Sequence, residues 1–407
     1  MKKKLIALLL AGAMVLNLAA CGTKELEKTE TPAETQAQSG TAETAEPETT
    51  ATATTTAPAA ETPADTGEGG TVTVTDMSGD EVTVEGKVEK VINLWPSVTS
   101  SFFVMGAGDL LVGVGVNSPG IMNRWTQFFY PECVNIMSMG GTEPSVEELV
   151  TQNPDLVITH PSSASSGLAQ QIRDTGIPAV NINYNDYETM AEAYTILGQI
   201  LGGEYQEKLN QWCTDVQGKL EEHRSLTAGL SDDEKPVVYY IAGQSEELLT
   251  TMGAGSIMQT WIEVNGGIFA SDVLNLEGQE VTAEEIFSLN PDVIIVGGVY
   301  QHVLIDQLKN TDGWKELNAV KNNRVYNNPY GCFNWERFGL ESLMQIDYAL
   351  LCIQPEIAAE NGITRESMVQ EVQDFYQYYN GTELTDEEAG YMLDGMQPDG
   401  TAEVPVQ

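Results

Sequence analysis

The chain has 407 residues, with 60 Asp and Glu against 19 Lys and Arg, a formal charge of −41 at pH 7. So acidic a balance argues against nucleic acid or an anionic membrane surface as an electrostatic partner. It leaves small ligands open, because one local arginine can reverse the field inside a pocket.

In chain order, residues 1–20 read as an export signal: MKKK is a basic start and LIALLLAGAMVLNLAA an apolar run of signal length. The run ends in Leu18-Ala19-Ala20-Cys21, which resembles a bacterial lipobox. That resemblance implies that Cys21 is diacylated and becomes the mature N-terminus, anchoring the chain to a membrane it does not span. Residues 21–70 are Thr, Ala, Glu, Pro and Gly with almost no large apolar side chain, so burial cannot offset ordering entropy and a flexible tether is expected. No second apolar run of about 18 residues follows, which argues against a transmembrane helix.

About 310 residues, Thr71 to Asn380, then remain, a length that suggests two lobes. The expected division is an N-terminal lobe over 71–185, connecting helices over 186–230 and a C-terminal lobe over 231–380. Residues 381–407 read as a polar tail that frays. Cys133, Cys213, Cys332 and Cys352 match no zinc spacing and read as unpaired buried thiols.

Within the first lobe, SVEELVTQNPDLVIT begins at Ser145, and the second lobe repeats it as TAEEIFSLNPDVIIV from Thr282. Ser145 and Thr282 are N-cap residues, and Glu148 and Glu285, three positions on, complete capping boxes. Val146, Leu149 and Val150 in one copy, and Ile286 and Phe287 in the other, supply a packing face. Asn153-Pro154 and Asn290-Pro291 stop each helix, since a residue before proline is pushed out of the α region. LVIT and VIIV are short continuous apolar runs, as in strands covered on both faces. The unit is helix, turn, buried parallel strand, and its duplication predicts two similar α/β lobes.

The lobes also open alike. Val91-Ile92-Asn93-Leu94 precedes Trp95-Pro96-Ser97, and Val237 to Ile241 precedes Ala242-Gly243-Gln244, so both strands end where open α/β sheets place ligand crevices. Between the lobes, after Gly202-Gly203, Leu209, Trp212, Val216 and Leu220 share one helical face. About 23 residues at 1.5 Å each predict a rod of roughly 34 Å that crosses from lobe to lobe. The fold class expected is therefore two three-layer α/β lobes with parallel-rich sheets, joined by one long helix.

With NPDLVI and NPDVIIV in matching places, the sequence resembles the helical-backbone class (class III) of ABC-transporter substrate-binding lipoproteins, which serve importers of ferric siderophores, haem and cobalamin. MGAGDLLVGVGV, WIEVNGGIFA and LMQIDYALLCIQPE resemble further segments of that family in order along the chain. The resemblance covers about residues 71–380. It implies an extracytoplasmic, lipid-anchored protein that captures a small molecule between its lobes and delivers it to a membrane permease and its ATPase. In that family an acidic residue on each lobe docks to permease arginines, and the matching positions are Glu147 and Glu284. Both occupy N2 of their helices, where the helix dipole favours a carboxylate in any case.

Loops at the strand ends nominate the ligand-binding residues: Trp95, His160 and Tyr184 in the first lobe, Gln244, Tyr300, Trp335 and Arg337 in the second. Aromatics offer broad apolar faces, and an arginine offers a fork for an oxyanion. Each also has a plainer reading: Trp95 and Trp335 as core, His160 as a strand-end cap, Arg337 as an internal ion pair with Glu336 or Glu341. Arg124 is a weaker candidate.

With only His160, His223 and His302 in the chain, capture of a bare metal ion is disfavoured and no metal site is assigned. The bound ligand expected is a metal chelate, a ferric siderophore, haem or a corrinoid, with an oxyanion such as molybdate or tungstate as the competitor; no covalent cofactor is expected. The chain carries no GxSxG, HExxH, P-loop or strand-to-helix GxGxxG, so an enzyme on this fold is disfavoured.

Overall fold

The structure, a computed structural model, describes residues 70–159 and 167–402. The signal, Cys21, the tether and His160 lie outside the described residues. A hairpin opens the fold, β1 (Thr71–Thr75) pairing antiparallel with β2 (Glu81–Glu85), in register at Val72↔Val84 and Val74↔Val82.

The first sheet is wholly parallel. It contains β3 (Val91–Asn93), β4 (Leu111–Val114), β5 (Met137–Ser138), β6 (Leu156–Thr159) and β7 (Ala179–Asn181), in the order β5-β4-β3-β6-β7. The second is also parallel, with β8 (Val237–Ile241), β9 (Ile268–Phe269), β10 (Val293–Val296) and β11 (Val325–Asn327) in the order β11-β10-β8-β9. Each sheet is wound in both directions from its first strand, β3 or β8, so each has a switch point where loops diverge at the carboxyl ends.

The two repeats become the expected units. Helices Val146–Thr151 and Ala283–Leu289 lead into β6 and β10, and both of those strands are buried along their whole length. Thr282 and Glu285 form the reciprocal capping box, whereas in the first copy only the Ser145 side chain caps, accepting from Glu148 N at 3.3 Å. Asn153 and Asn290 both turn left-handed, at φ 49° and 50°, a conformation asparagine tolerates better than most residues. The aspartate after each proline ties the unit to its neighbour. Asp155 Oδ2 accepts from Glu89 N and Lys90 N at 2.9 Å, and Asp292 Oδ2 from Val237 N at 3.1 Å. The expected packing faces are corrected at one position each: Leu149 and Ile286 are buried, but the equivalent Val150 and Phe287 are each 38% exposed.

Side chains alternate between the faces of each sheet, and this divides the core. Ile92, Val157 and Ala179 point to one outer layer, and Tyr239, Ile241, Ile294 and Val296 to another. Val91, Leu156, Ile158, Val238, Tyr240, Val293 and Ile295 all belong to a single continuous apolar interior that spans both sheets.

The connector runs Gly203–Thr227, 25 residues and so about 37 Å, after a break from helix Tyr187–Leu201 at Gly202 and Gly203, which both have positive φ. Leu209, Trp212, Val216 and Leu220 are its buried face as expected, and Trp212 Nε1 donates to Leu340 O at 2.8 Å. Farther along, Lys219 Nζ lies 2.6 Å from Asp347 Oδ2 and also contacts Glu371, while His223 Nε2 lies 2.7 Å from Asp347 Oδ1. Asp347 belongs to helix Ser342–Ile353, and Glu371 to helix Arg365–Tyr379.

The expectation of a fraying tail fails for residues 381–402. Thr385 and Glu388 form a capping box on helix Asp386–Leu393, and Leu384, Ala389, Met392 and Leu393 are buried. Trp125 Nε1 donates to Met396 O at 2.7 Å, holding the segment against the first lobe. The four described cysteines are free, and all but Cys213 are buried. No described helix is long and apolar enough to cross a membrane.

Candidate ligand cleft

The carboxyl end of β3 delivers Trp95, whose ring centroid lies 4.1 Å from that of Tyr184, just after β7. Phe338, from the second lobe's long loop, meets both rings, at 5.3 Å from Tyr184 and 6.3 Å from Trp95. One aromatic set is thus built from both lobes. Trp95 and Tyr184 are largely buried, and Phe338 is half-buried.

Arg337, next to Phe338, points the other way, to the end of β8. Its Nη2 donates to Ala242 O at 3.1 Å, and Gln244, with its amide oxygen turned inward, accepts from Nη1 at 2.6 Å and Nη2 at 3.0 Å. Arg337 Nε lies 3.7 Å from Glu336 Oε1, while the Arg337 side chain keeps 20% of its surface exposed. Glu336 is wholly enclosed, accepting from Asn328 Nδ2 at 2.9 Å, Gly298 N at 3.1 Å and Tyr240 OH at 3.2 Å. Burial pushes its carboxyl up, and Arg337 pulls it back. The internal pair foreseen for Arg337 therefore forms, with Glu336 and not Glu341. Because the Arg337 side chain is not fully enclosed, the pair does not by itself bar a ligand contact.

The loop ends of the second sheet are closely apposed. A Cβ on Gly243, at φ +58°, would fall 1.7 Å from Gly297 O, so only glycine lets the β8 and β10 turns approach. Tyr300 N donates to Gly243 O at 3.1 Å, which places half-buried Tyr300 beside Gln244.

Trp335 is corrected. It has no exposed surface, because the loop folds back through a Tyr330–Asn334 bridge and carries the indole inward. Arg124 faces elsewhere, pairing with Asp399 at 2.7 Å. Glu147 and Glu284 are exposed at N2 of their helices, and no described residue forms an ion pair with either.

Phe338 carries no sequence signal: it follows no strand, and the RFG triplet that holds it gives no periodic pattern.

Glu341 anchors this loop. Its carboxylate accepts from Cys332 N and Phe333 N, each at 2.9 Å, and from Tyr376 OH. Burial raises its pKa to about 7 despite those bonds. With the folded-state value above the unfolded one near 4.5, the folded chain holds more protons across that window, so this group's stabilising contribution declines as pH rises from about 4.5 to 7. At about 1.4 kcal/mol per unit the decline is roughly 3 kcal/mol. Urea midpoints at several pH values should show a flatter slope for Glu341→Gln than for the wild type, and identical slopes would refute the assignment.

Two parallel-sheet lobes on one interior, with aromatics and an arginine where their strand ends converge, define a bilobal solute-binding protein. The chain belongs to the periplasmic binding protein family, whose model matches residues 122–329. It is 30% identical over 262 residues to the uncharacterized ABC transporter substrate-binding lipoprotein YvrC of Bacillus subtilis, covering 63% of this chain and 77% of that one. It is 26% identical over 254 residues to a cobalamin-binding protein of Halobacterium salinarum, covering 59% of this chain and 62% of the relative. The crystal structure of a periplasmic solute binding protein from Veillonella parvula superposes with a TM-score of 0.69 at 23% identity, over 81% of this chain and 99% of that one. At that identity the superposition speaks for the fold.

Proposed function

We propose that the protein captures a metal chelate, a corrinoid or a ferric siderophore or haem, between its lobes on the outer face of the cell membrane and hands it to an ABC importer. The observation that carries this reading is the aromatic set Trp95, Tyr184 and Phe338, contributed by both lobes, with Phe338 its half-buried member and Arg337, 20% exposed, at the neighbouring end of β8. Planar apolar surface suits a large chelate, and a guanidinium suits its carboxylate, phosphate or propionate groups. The similarity to a cobalamin-binding relative supports the corrinoid branch. Cys21 would hold the protein at the membrane through lipid, and Glu147 and Glu284 would face the permease.

The test is titration of the purified protein with cyanocobalamin, haemin, ferric siderophores and molybdate, followed by intrinsic fluorescence and melting temperature. One chelate should bind, and Arg337→Ala should weaken it about 10- to 100-fold, as for loss of a hydrogen bond to a charged group. Binding of molybdate with no chelate, or turnover of a substrate without a permease, would overturn the reading.

A further inference from the structure

On the side of the molecule formed by the connector, a groove of about 1030 Å³ runs between helices Gly203–Thr227 and Arg365–Tyr379, floored by Leu343. Neither the cleft residues nor the two exposed glutamates of the repeats line it. One wall is aromatic: Phe375 and Tyr379 have ring centroids 4.6 Å apart, and Tyr378 meets Tyr379 edge-on at 4.8 Å. Tyr378 is 49% exposed, so its ring is available to an occupant.

The charges of the groove are one-sided. Four carboxylates line it against one ammonium, Lys219, and that ammonium already contacts Asp347 and Glu371. Asp215 and Asp374 have only neutral partners near at hand, the Gln211 amide at 2.7 Å and the Gln370 amide at 2.9 Å. Tyr379 supplies an independent sign of an occupant. It is 3% exposed, its hydroxyl has no hydrogen-bond partner among the described residues, and it lines the same groove. Burial raises its pKa, and Asp215 adds to that effect, so the hydroxyl stays protonated beside an acid. Buried hydroxyls are seldom left unpaired without a reason.

We infer that this groove is a second binding site, for a small organic cation with an apolar or aromatic body. The carboxylates of Asp215 and Asp374 receive the ammonium, the aromatic wall covers the body and adds cation–π attraction, and the Tyr379 hydroxyl gains a polar partner. A bare inorganic cation would leave the aromatic wall unused. A second copy of this chain, itself at −41, is opposed by charge.

The probe is 2-phenylethylammonium, titrated calorimetrically into the full-length protein, with isosteric 2-phenylethanol as the neutral control. The cation should bind saturably and the alcohol at least about tenfold more weakly, with binding of the cation weakening as salt rises. Asp215→Asn with Asp374→Asn, which keeps both glutamine contacts, should cost at least about tenfold, and Tyr379→Phe a few-fold. Unchanged melting temperatures without ligand would show that these variants fold. Arg337→Ala should leave this binding intact, separating it from the proposed cleft. No saturation below about 10 mM, equal binding of the alcohol, or an undiminished Asn variant would overturn the inference. So would capture of a basic amphipathic peptide in the groove while 2-phenylethylammonium fails to bind.

Discussion

Replacing Glu147 and Glu284 together by alanine should abolish ligand uptake by cells while leaving ligand binding to the purified protein unchanged. Both side chains are exposed, without an ion-pair partner among the described residues, and at the same position of a repeated helix. The exposure of Val150 and Phe287 sharpens the proposal: each glutamate has an uncovered apolar neighbour one turn on, so each lobe presents an acid beside a greasy contact. A carboxylate in the first turn contributes only about 0.3–1 kcal/mol to its helix, so the fold should survive. Truncating one partner of a desolvated charge pair across an interface costs about 2–5 kcal/mol, and losing two would reduce transport by more than a hundredfold. Radiolabelled uptake measured beside soluble titration decides the matter, and transport at the wild-type rate would end the docking proposal. Glu148→Ala with Glu285→Ala is the control. In the second copy Glu285 is occupied by Thr282, and its loss should affect melting more than transport.

Asp347→Ala should destabilise the protein by about 3–5 kcal/mol, the range found when one member of a buried charge pair is removed. Lys219 and His223 converge on this carboxylate. Asn265 Nδ2 donates to Trp261 O at 2.7 Å and to Ile346 O at 3.0 Å, which leaves its oxygen facing His223 Nδ1 at 2.7 Å as acceptor. The other ring nitrogen, Nε2, faces Asp347. Burial would raise the Asp347 carboxyl, but the His223 bond and the Lys219 charge together hold it at about 2. Its contribution is thus fully present above its unfolded value near 3.8 and disappears as pH falls through about 2. Nearby Glu371 is raised to about 7, by burial first and by Asp347, against the pull of Lys219. With Asp347 gone, Lys219 keeps only Glu371 and the His223 ring loses its partner at Nε2. Guanidinium denaturation at pH 7 measures the effect; a loss under about 1 kcal/mol would mean that the connector is held by its apolar face alone.

Much of the fold could be read from short-range chemistry. The N-caps Ser145 and Thr282, the Asn-Pro stops and the apolar strands each act within a few residues, and so did the Leu209, Trp212, Val216, Leu220 stripe. In the tail Thr385-Asp386-Glu387-Glu388 carries the same capping signal as the repeats, but its acidic composition masks Ala389, Met392 and Leu393 at helical spacing. Site residues were less legible because their roles depend on contacts far along the chain. Trp95 and Tyr184 stand 89 positions apart in sequence yet nearly touch, and Trp335 and Phe338, three residues apart, have opposite fates. Nothing local distinguishes an indole that turns inward from a phenyl ring that reaches the other lobe.

The apolar interior shared by the inner faces of both sheets also constrains how such a chain can change over generations. Ile158 and Ile295 belong to one cluster that runs through the connector and helix Ser342–Ile353, so enlarging either strains packing that both lobes share. The outer layers carry no such obligation. Drift should therefore be freer at Ile92 or Val296 than at Leu156 or Val293.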